Sequence, residues 1–363
     1  MKDVIKYRRD LHMIPEASSN EYKTKEYILN RLKTLDCKIE ELCDTGIIAY
    51  FDNNKKTTIA LRADMDALPI EEINLITYAS TQKGYSHACG HDGHMAMLLA
   101  TADYLNNNKD IHNNVVLIFQ PAEENVKGAK EMIATGFLKK YKVKHVFGMH
   151  IWPNLEKGKV YTRCNELMSS ASEIDISIEG KAVHVAQSEF GIDSIQIVSS
   201  FLNDAYNMEK QINNNVFRLL KFGKITGGTI RNVISPSVKI EGTLRTYSDE
   251  IFDYMLNNLK DIAKQYEKNT GCKITINNTI PCDAVVNDKN LAQRFIDNKV
   301  ANEIEKPFLQ AEDFGSYCKE VPSCFFMLGC GNETQLHTNC FNFDEQILEI
   351  GLKLYKSIID MEF

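Results

Sequence analysis

The stretch HACGHDGH, residues 87–94, contains three histidines, one cysteine and one aspartate. Imidazole, thiolate and carboxylate groups together are typical ligands of zinc and of other first-row divalent ions. Two other interpretations use the same side chains: Cys89 as a nucleophile or redox-active thiol, and Asp92 as the cap of a helix. The choice depends on which other side chains meet this stretch in the folded chain.

Other acidic and histidine side chains lie at or beyond the ends of predicted buried strands. They are Asp64 and Asp66, Glu123 and Glu124, His150, and His337 on a later loop. In open α/β sheets, ligands bind beyond the carboxyl ends of the strands, so we expect these segments to meet HACGHDGH at one edge. The candidate ligands outnumber the usual three of a mononuclear catalytic zinc site, which indicates two ions that polarise a carbonyl and activate a water. The adjacent pair Glu123 and Glu124 allows one carboxylate to bind metal while the other acts as a base.

Several alternatives to a metal-dependent hydrolase use the same residues. A cysteine–histidine protease would use Cys89 but would leave the carboxylates without a role. The sequence contains no GxSxG, HExxH, P-loop or GxGxxG motif. Outside the enzyme class, a regulatory protein with a degenerate site is one alternative, although the complete ligand set argues against it. A thiol redox protein built on Cys89 is another, and it predicts behaviour that depends on the thiol and not on a metal.

Hydrophobic patterns indicate which elements position these residues. Continuous apolar runs at 58–64, 115–121, 145–150 and 324–329 are typical of strands buried on both faces of a parallel sheet. A helical pattern covers 91–105, so that HACGHDGH lies at the start of this predicted helix.

From about residue 170 the strands instead alternate apolar and polar residues, which indicates an antiparallel sheet with one solvent-exposed face. Strand patterns at 173–180, 219–227, 238–246 and 273–277 are interleaved with helical patterns at 193–209 and 249–267. The βαββαβ order is that of a ferredoxin-like sandwich. We therefore predict an α/β fold in which a discontinuous metal-binding domain, 1–168 and 280–363, is interrupted by an inserted ferredoxin-like α+β domain, 169–279.

Composition limits the expected partners and location. A net charge of -7 over 363 residues leaves no general basic patch, so we do not expect nucleic-acid binding. No apolar run approaches the roughly 20 residues of a membrane span, and the N-terminal residues MKDVIKYRRDLH lack a signal-peptide core. The ten cysteines include no CxxC pair and are typical of reduced thiols. We expect a cytoplasmic protein without a membrane partner.

The chain resembles the M20 metallopeptidase family, in particular the amidohydrolase branch of hippurate hydrolases, auxin-conjugate hydrolases and N-acetyldiaminopimelate deacetylases. The matching stretches span nearly the whole chain: RRDLHMIPE (8–16), ALRADMDALPI (60–70), HACGHDGH (87–94), FQPAEE (119–124), GMHIWP (148–153), GKAVH (180–184), GGTIRNVI (227–234), EGTLRTY (241–247), EDFGSY (312–317) and LHTNCF (336–341). The resemblance implies a metal-binding domain interrupted by a lid that commonly dimerises.

The resemblance also implies roles for single residues at the metal site. The metal ligands would be Cys89, His91, Glu124, His150 and His337. Glu123 would be the general base, and Asp66 would orient a metal-bound histidine, a role that metal chemistry independently favours. Asp64 stands where other branches of the family carry a histidine ligand, and we leave it unassigned.

In the lid, the resemblance implies that His184 reaches across a dimer to the scissile carbonyl oxygen. Asn232 and Arg245 match lid positions that hold the substrate's carboxylate, a task that suits the bidentate fork of arginine. The stretch HVAQSEFGID (184–193) departs from the family by lacking the proline that usually follows the lid histidine.

The metal-site residues together with this resemblance imply a metal-dependent amidohydrolase that cleaves the amide bond of N-acyl amino acids. Two divalent ions per subunit (manganese, zinc or nickel) would activate a water, with Glu123 as its base. Two alternatives within the enzyme class are a dipeptidase and an N-acetyldiaminopimelate deacetylase of lysine biosynthesis, which EDFG (312–315) and GKITGGT (223–229) resemble. We expect a small-molecule or short-peptide substrate and a homodimer formed through the inserted domain.

Overall fold

The computed structural model describes residues 2–331 and 334–363, and the chain divides into two compact units. The first unit runs to Leu167 and resumes over Val285–Pro307 and Glu312–Phe363. The second comprises Met168–Ala284 and Phe308–Ala311. These boundaries lie close to those predicted at 168 and 280, but the return of Phe308–Ala311 to the second unit was not predicted. The catalytic and lid roles of the units stay predictions.

The elements are numbered in chain order. The strands are β1 (Lys38–Leu42), β2 (Gly46–Phe51), β3 (Thr58–Asp64), β4 (Asn114–Gln120), β5 (Val143–Trp152), β6 (Val160–Thr162), β7 (Asn165–Met168), β8 (Ala171–Glu179), β9 (Arg218–Gly227), β10 (Ser237–Thr246), β11 (Lys273–Cys282), β12 (Val285–Asn287), β13 (Asn302–Glu303) and β14 (Ser323–Gly329). The helices are α1 (Lys2–His12), α2 (Tyr22–Leu32), α3 (His91–Asn107), α4 (Gly128–Ala134), α5 (Phe137–Lys140), α6 (Ser194–Gln211), α7 (Asp249–Thr270), α8 (Lys289–Asp297), α9 (Gly315–Glu320) and α10 (Ile347–Ile359), with a 3-10 helix at Val185–Phe190. Across the described residues, no helix combines the length and apolar character that a bilayer crossing requires.

A mixed sheet in the order β1-β2-β4-β3-β5-β14-β6-β13 organises the first unit. Its central strands β4, β3, β5 and β14 are parallel, whereas β1, β2 and β6 join the sheet by antiparallel pairing. Every residue of β3, β4 and β14 is buried, because helices cover both faces of a parallel sheet. The predicted α/β class is thereby confirmed, although the antiparallel edges make the sheet mixed rather than parallel throughout.

Helix α3 is the element that brings the HACGHDGH stretch onto the sheet. It packs against β3 and β5 on one side and against α1 and α10 on others. At Gly93 a Cβ atom would lie 2.7 Å from Phe343 Cζ and 2.8 Å from Ile151 Cδ1, so that a larger residue would require these side chains to move. The glycine therefore allows the first turn of α3 to approach the end of β5 closely.

The second unit contains an antiparallel sheet in the order β11-β8-β10-β9. Helices α6 and α7 contact each other and this sheet, and Ile174, Ile176 and Ile178 of β8 are buried in the core between them. The chain order β8-α6-β9-β10-α7-β11 and this strand order are those of a ferredoxin-like sandwich.

Candidate metal centre

The turn that precedes α3 carries the first residues of the candidate metal centre. Gly90 has φ +86°, a conformation that glycine adopts without steric cost, and α3 starts at the next residue, His91. The loop that carries His337 is tied to the same turn, because the His337 N–H donates to the Ala88 carbonyl at 2.9 Å. His337 itself has φ +62°, which is uncommon for a residue with a Cβ.

The five predicted metal ligands lie together in the first unit. Cys89 Sγ is 3.4 Å from His150 Nε2 and 3.3 Å from His337 Nε2. Glu124 Oε1 is 3.4 Å from His337 Nε2 and 4.0 Å from His91 Nε2. Two groups whose donor atoms lie within 4.8 Å of one another overlap at the cysteine: one holds Cys89, His91 and His150, the other Cys89, Glu124 and His337.

His91 and His150 are each oriented by a hydrogen bond at Nδ1, which leaves Nε2 directed at the other donor groups. His91 Nδ1 lies 2.8 Å from the Asp66 carbonyl, and His150 Nδ1 lies 2.6 Å from the Ile151 carbonyl. Since a carbonyl can only accept, both Nδ1 atoms carry the hydrogen and both Nε2 atoms present a lone pair when the rings are neutral. Metal-binding histidines in proteins are usually oriented in this way.

Asp66 holds two parts of the centre with one side chain. Its Oδ1 lies 3.4 Å from His91 Nδ1, while its Oδ2 accepts hydrogen bonds from the Ser18 hydroxyl at 2.6 Å and from the Glu124 N–H at 3.0 Å. These contacts are consistent with the orienting role predicted for Asp66.

Asp64 and His94 lie beside the donor groups, but their polar atoms are already engaged. Asp64 Oδ1 accepts from His94 Nδ1 at 2.6 Å, and its Oδ2 accepts from Arg62 Nη1 at 2.6 Å. His94 Nε2 accepts from the Ile151 N–H at 2.9 Å. With both ring nitrogens occupied, His94 supports the centre rather than offering a donor, and Asp64 orients it.

Glu123 lies next to the donor groups and among further carboxyl groups. Its carboxylate lies within 4.8 Å of the donor atoms of His91 and Glu124. The carboxylates of Glu123, Glu312 and Asp313 likewise have oxygens within 4.8 Å of one another. Burial, with the neighbouring Glu312 and Glu124, raises the pKa of Glu123 well above its usual range. Burial and the charges of Glu124 and Glu123 likewise raise the pKa of the Cys89 thiol. Reactive cysteines occur in electropositive surroundings, so this setting does not favour Cys89 as a nucleophile.

Arg62 is the cation that faces the inner part of this acidic cluster. It is fully buried and contacts Asp64, Glu312 at 3.0 Å and Asp313 at 2.8 Å. Its Nε donates to Gln120 Oε1 at 2.9 Å. Arg62 thus offsets part of the charge of Glu312 and Asp313, while burial raises the pKa of Glu312 to about 8.

The remaining donor atoms fit a bound cation. His91 Nε2 and Glu124 Oε1 are buried and lack a hydrogen-bond partner within 2–331 and 334–363, and such atoms are costly unless something binds them. Burial and the adjacent His94 lower the pKa of His150 well below its usual range, so this ring is neutral, as a ligand must be. Burial opposes protonation of His91, but Asp64 and Asp66 outweigh it and raise its pKa to about 10; metal binding would displace that proton.

The three predicted substrate contacts lie in the second unit. The Val185 N–H donates to the Asn232 carbonyl at 3.1 Å, which makes His184 and Asn232 neighbours. Both side chains are exposed. Arg245, on β10, donates from Nη1 to the Leu309 carbonyl at 2.7 Å. Their contact with substrate stays a prediction.

The sequence alone indicates no role for Arg62 or Glu312. The stretch EDFGSY resembles the family, but nothing near it in sequence indicates that Glu312 and Asp313 contact Arg62. The only signal was chemical: an arginine inside a strand that is otherwise buried and apolar needs acidic partners.

Comparison with known proteins gives the family. Residues 60–361 match the model of Peptidase family M20/M25/M40. An uncharacterized hydrolase of Staphylococcus saprophyticus is 34% identical, covering 98% of this chain and 96% of its own. The Bacillus subtilis YxeP protein, described as a dinuclear metal-binding peptidase of the M20 family, is 29% identical with a TM-score of 0.85, covering 99% of this chain and 97% of its own. An aminobenzoyl-glutamate utilization protein of Klebsiella pneumoniae shares the fold, at 17% identity and a TM-score of 0.69, over 99% of this chain and 95% of its own. The chain therefore belongs to peptidase family M20/M25/M40 and is a metal-dependent hydrolase of amide bonds.

Proposed function

We propose that the protein hydrolyses the amide bond of N-acyl amino acids with two divalent ions, and that Glu123 is the general base. The observation that carries the proposal is the position of Glu123, whose carboxylate lies within 4.8 Å of the donor atoms of His91 and Glu124. A base at this distance from the ligands can reach a water that the ions would hold.

Two ions are supported by the two overlapping donor groups that share Cys89. The description of the B. subtilis relative as dinuclear supports the same number. Thiolate, imidazole and carboxylate donors suit zinc, manganese or nickel. The ligands would be Cys89, His91, Glu124, His150 and His337.

The ions would polarise the amide carbonyl and lower the pKa of water in the centre towards neutrality. Glu123 takes a proton from the attacking water and returns it to the departing nitrogen, which leaves as a free amine. Asp66 keeps His91 and the Glu124 backbone in place through the contacts described above. By the resemblance, His184 of a second copy would reach the scissile carbonyl oxygen across the dimer, while Asn232 and Arg245 would hold the substrate's carboxylate.

The N-acyl amino acid class rests on the resemblance to the amidohydrolase branch. Its test is hydrolysis of N-acetylmethionine, hippurate, an indoleacetyl amino acid, N-acetyldiaminopimelate and a dipeptide, by protein stripped of metal and reloaded with Mn²⁺, Zn²⁺ or Ni²⁺. We expect metal-dependent release of an amino acid from at least one N-acyl substrate. Cleavage of the dipeptide alone would contradict the substrate class, and preference for N-acetyldiaminopimelate would select the deacetylase.

The same proposal includes a homodimer formed through the second unit. Strand β9 is an edge strand, and its second half is exposed. The exposed large apolar side chains of this unit include Ile225 on that edge, Ile230 in the following loop, and Phe190 and Ile195. An unpaired edge with exposed apolar side chains is suited to a second copy, which can present the same edge across a twofold axis. A cytoplasmic location, predicted from the sequence, is part of the proposal as well.

A further inference from the structure

The turn that carries Glu123 and Glu124 has an unfavourable backbone conformation. Ala122 has φ +57° and Val126 has φ +58°. Residues with a Cβ rarely adopt this left-handed region, and a β-branched valine least of all. Such conformations persist at functional sites only when the surrounding structure fixes them. The contacts that fix Ala122 therefore matter for the two glutamates that follow it.

Glu21 makes the side-chain contact to Ala122. Its side chain is fully buried, and its Oε1 accepts hydrogen bonds from the Ala122 N–H at 2.9 Å and from the Ser19 N–H at 2.8 Å. Its Oε2 accepts from the Thr45 hydroxyl at 2.6 Å. Three donors thus hold the carboxyl group in one orientation, and one of them is the backbone of the strained residue.

The other end of the turn is held independently. The Glu124 N–H donates to Asp66 Oδ2 at 3.0 Å, and the Val126 N–H donates to the Glu123 carbonyl at 2.8 Å. Glu21 and Asp66 therefore hold the two backbone N–H groups that flank Glu123 in sequence.

We infer that Glu21 is a positioning residue: through the Ala122 N–H it holds the left-handed peptide that aims the carboxyl groups of Glu123 and Glu124. The inference rests on the proposed function, in which Glu123 is the base and Glu124 a metal ligand. A misplaced turn would then affect both turnover and metal binding, because the two residues are adjacent.

The test replaces Glu21 in the full chain and uses two readouts. The first is kcat and KM for the fastest substrate of the panel; the second is Mn²⁺ affinity by competition with a chelator. For Glu21→Ala we expect kcat and Mn²⁺ affinity each to fall by roughly 10–100-fold, the usual effect of removing a partner that orients a metal site, with KM little changed. In Glu21→Asp the carboxylate is one methylene further from the Ala122 N–H, so kcat and Mn²⁺ affinity should both fall as in Glu21→Ala. This variant replaces Glu21→Ala in the test if Glu21→Ala does not fold.

Three further variants separate positioning from a general structural role. Glu21→Gln keeps an oxygen acceptor for Ala122 and should stay near wild type. Thr45→Val removes the hydroxyl bond to Glu21 but leaves the Ala122 contact, and should keep most of the kcat. Adding Ala122→Gly to Glu21→Ala should recover part of both kcat and Mn²⁺ affinity, because glycine adopts positive φ without steric cost.

Wild-type kcat and Mn²⁺ affinity in Glu21→Ala would overturn the inference, as would an equal loss in Thr45→Val or the absence of recovery with Ala122→Gly. The Mn²⁺ measurement decides the matter even if no panel substrate is turned over. If Glu123→Gln is fully active while Glu21→Ala loses Mn²⁺ affinity, the proposed base fails and the positioning role stands.

Discussion

The Nε2 atom of His337 lies 3.3 Å from the Sγ atom of Cys89, although the two residues are 248 positions apart in the chain. On its other side, Cys89 lies 3.4 Å from His150 Nε2. The thiol thus belongs to the two overlapping donor groups that we propose hold the two ions, one with His91 and His150 and the other with Glu124 and His337. Loss of this side chain should affect every ion that the centre binds.

Replacing Cys89 by alanine should therefore lower the affinity for Mn²⁺ or Zn²⁺ by more than the roughly 10–100-fold change that follows removal of a partner of a metal ligand. Competition with a chelator measures this. Cys340→Ala is the matched control, since that thiol is exposed and should leave affinity unchanged. Unaltered metal affinity in Cys89→Ala, combined with activity that an alkylating reagent abolishes, would favour the thiol redox alternative.

Glu123→Gln should lower kcat by roughly 10²–10⁴-fold, the range expected for loss of an acid–base group, because an amide cannot accept the proton of the attacking water. Its metal content should stay that of the wild type, since the five proposed ligands remain. Steady-state kinetics and elemental analysis check the two parts. Glu131→Gln, an exposed glutamate on α4, is the control and should be fully active. Near wild-type turnover in Glu123→Gln would remove this residue from the mechanism.

The buried ion pair of His12 should give stability that depends on pH. His12 Nδ1 lies 2.8 Å from Asp92 Oδ2 and its Nε2 lies 3.1 Å from Glu72 Oε1. Burial opposes the charged ring, but these two carboxylates outweigh it and raise the pKa of His12 to about 9, above the 6.5 of an unperturbed histidine. The other titratable groups that face this ion pair are Arg8, Tyr78 and His87.

Because the folded-state pKa is the higher one, the contribution of His12 is complete below pH 6.5 and is lost as the pH rises through about 9. The stability advantage of wild type over His12→Gln should be larger at pH 6 than at pH 10 by on the order of 3 kcal/mol. Urea unfolding of both proteins at the two pH values measures it. An advantage that is equal at both values would show that His12 is uncharged in the folded protein.

Ile225→Lys should shift the protein from dimer to monomer, because it places a charge on the exposed edge of β9. Sedimentation velocity at several concentrations measures this. Leu75→Lys is the matched control: Leu75 is a fully exposed apolar residue of the first unit and should leave the dimer intact. A wild-type protein that sediments as a monomer at all concentrations would contradict the dimer.

The sequence was sufficient for the elements with strong hydrophobic patterns. β3 occupies the predicted residues 58–64, and the βαββαβ order of the second unit appears as expected. The meeting of Cys89, Glu124 and His337 could be foreseen because strands of a parallel sheet end at a common edge. Periodicity was less reliable at helix ends: the helical pattern at 249–267 corresponds to a helix that continues to Thr270.

The part of the centre that could not be predicted is made of contacts between distant segments. Asp64 accepts hydrogen bonds from His94 and Arg62. These contacts depend on how β3 packs against α3, which no local sequence pattern encodes. The same holds for Glu21, whose partner Ala122 is 101 residues away. Hydrophobic patterns specify which face of an element is buried, but they do not specify which polar groups meet there.

The dinuclear metal centre is tested most directly by counting the ions that the stripped chain takes up and by measuring whether activity rises with that number. Equilibrium dialysis against Mn²⁺, followed by elemental analysis and an assay on the fastest panel substrate, gives both quantities from one sample. We expect two ions per chain, with hydrolysis absent in the stripped protein and restored as the ions bind. A chain that binds no divalent ion, or one that hydrolyses the substrate equally well without it, would contradict a dinuclear metal centre that drives hydrolysis.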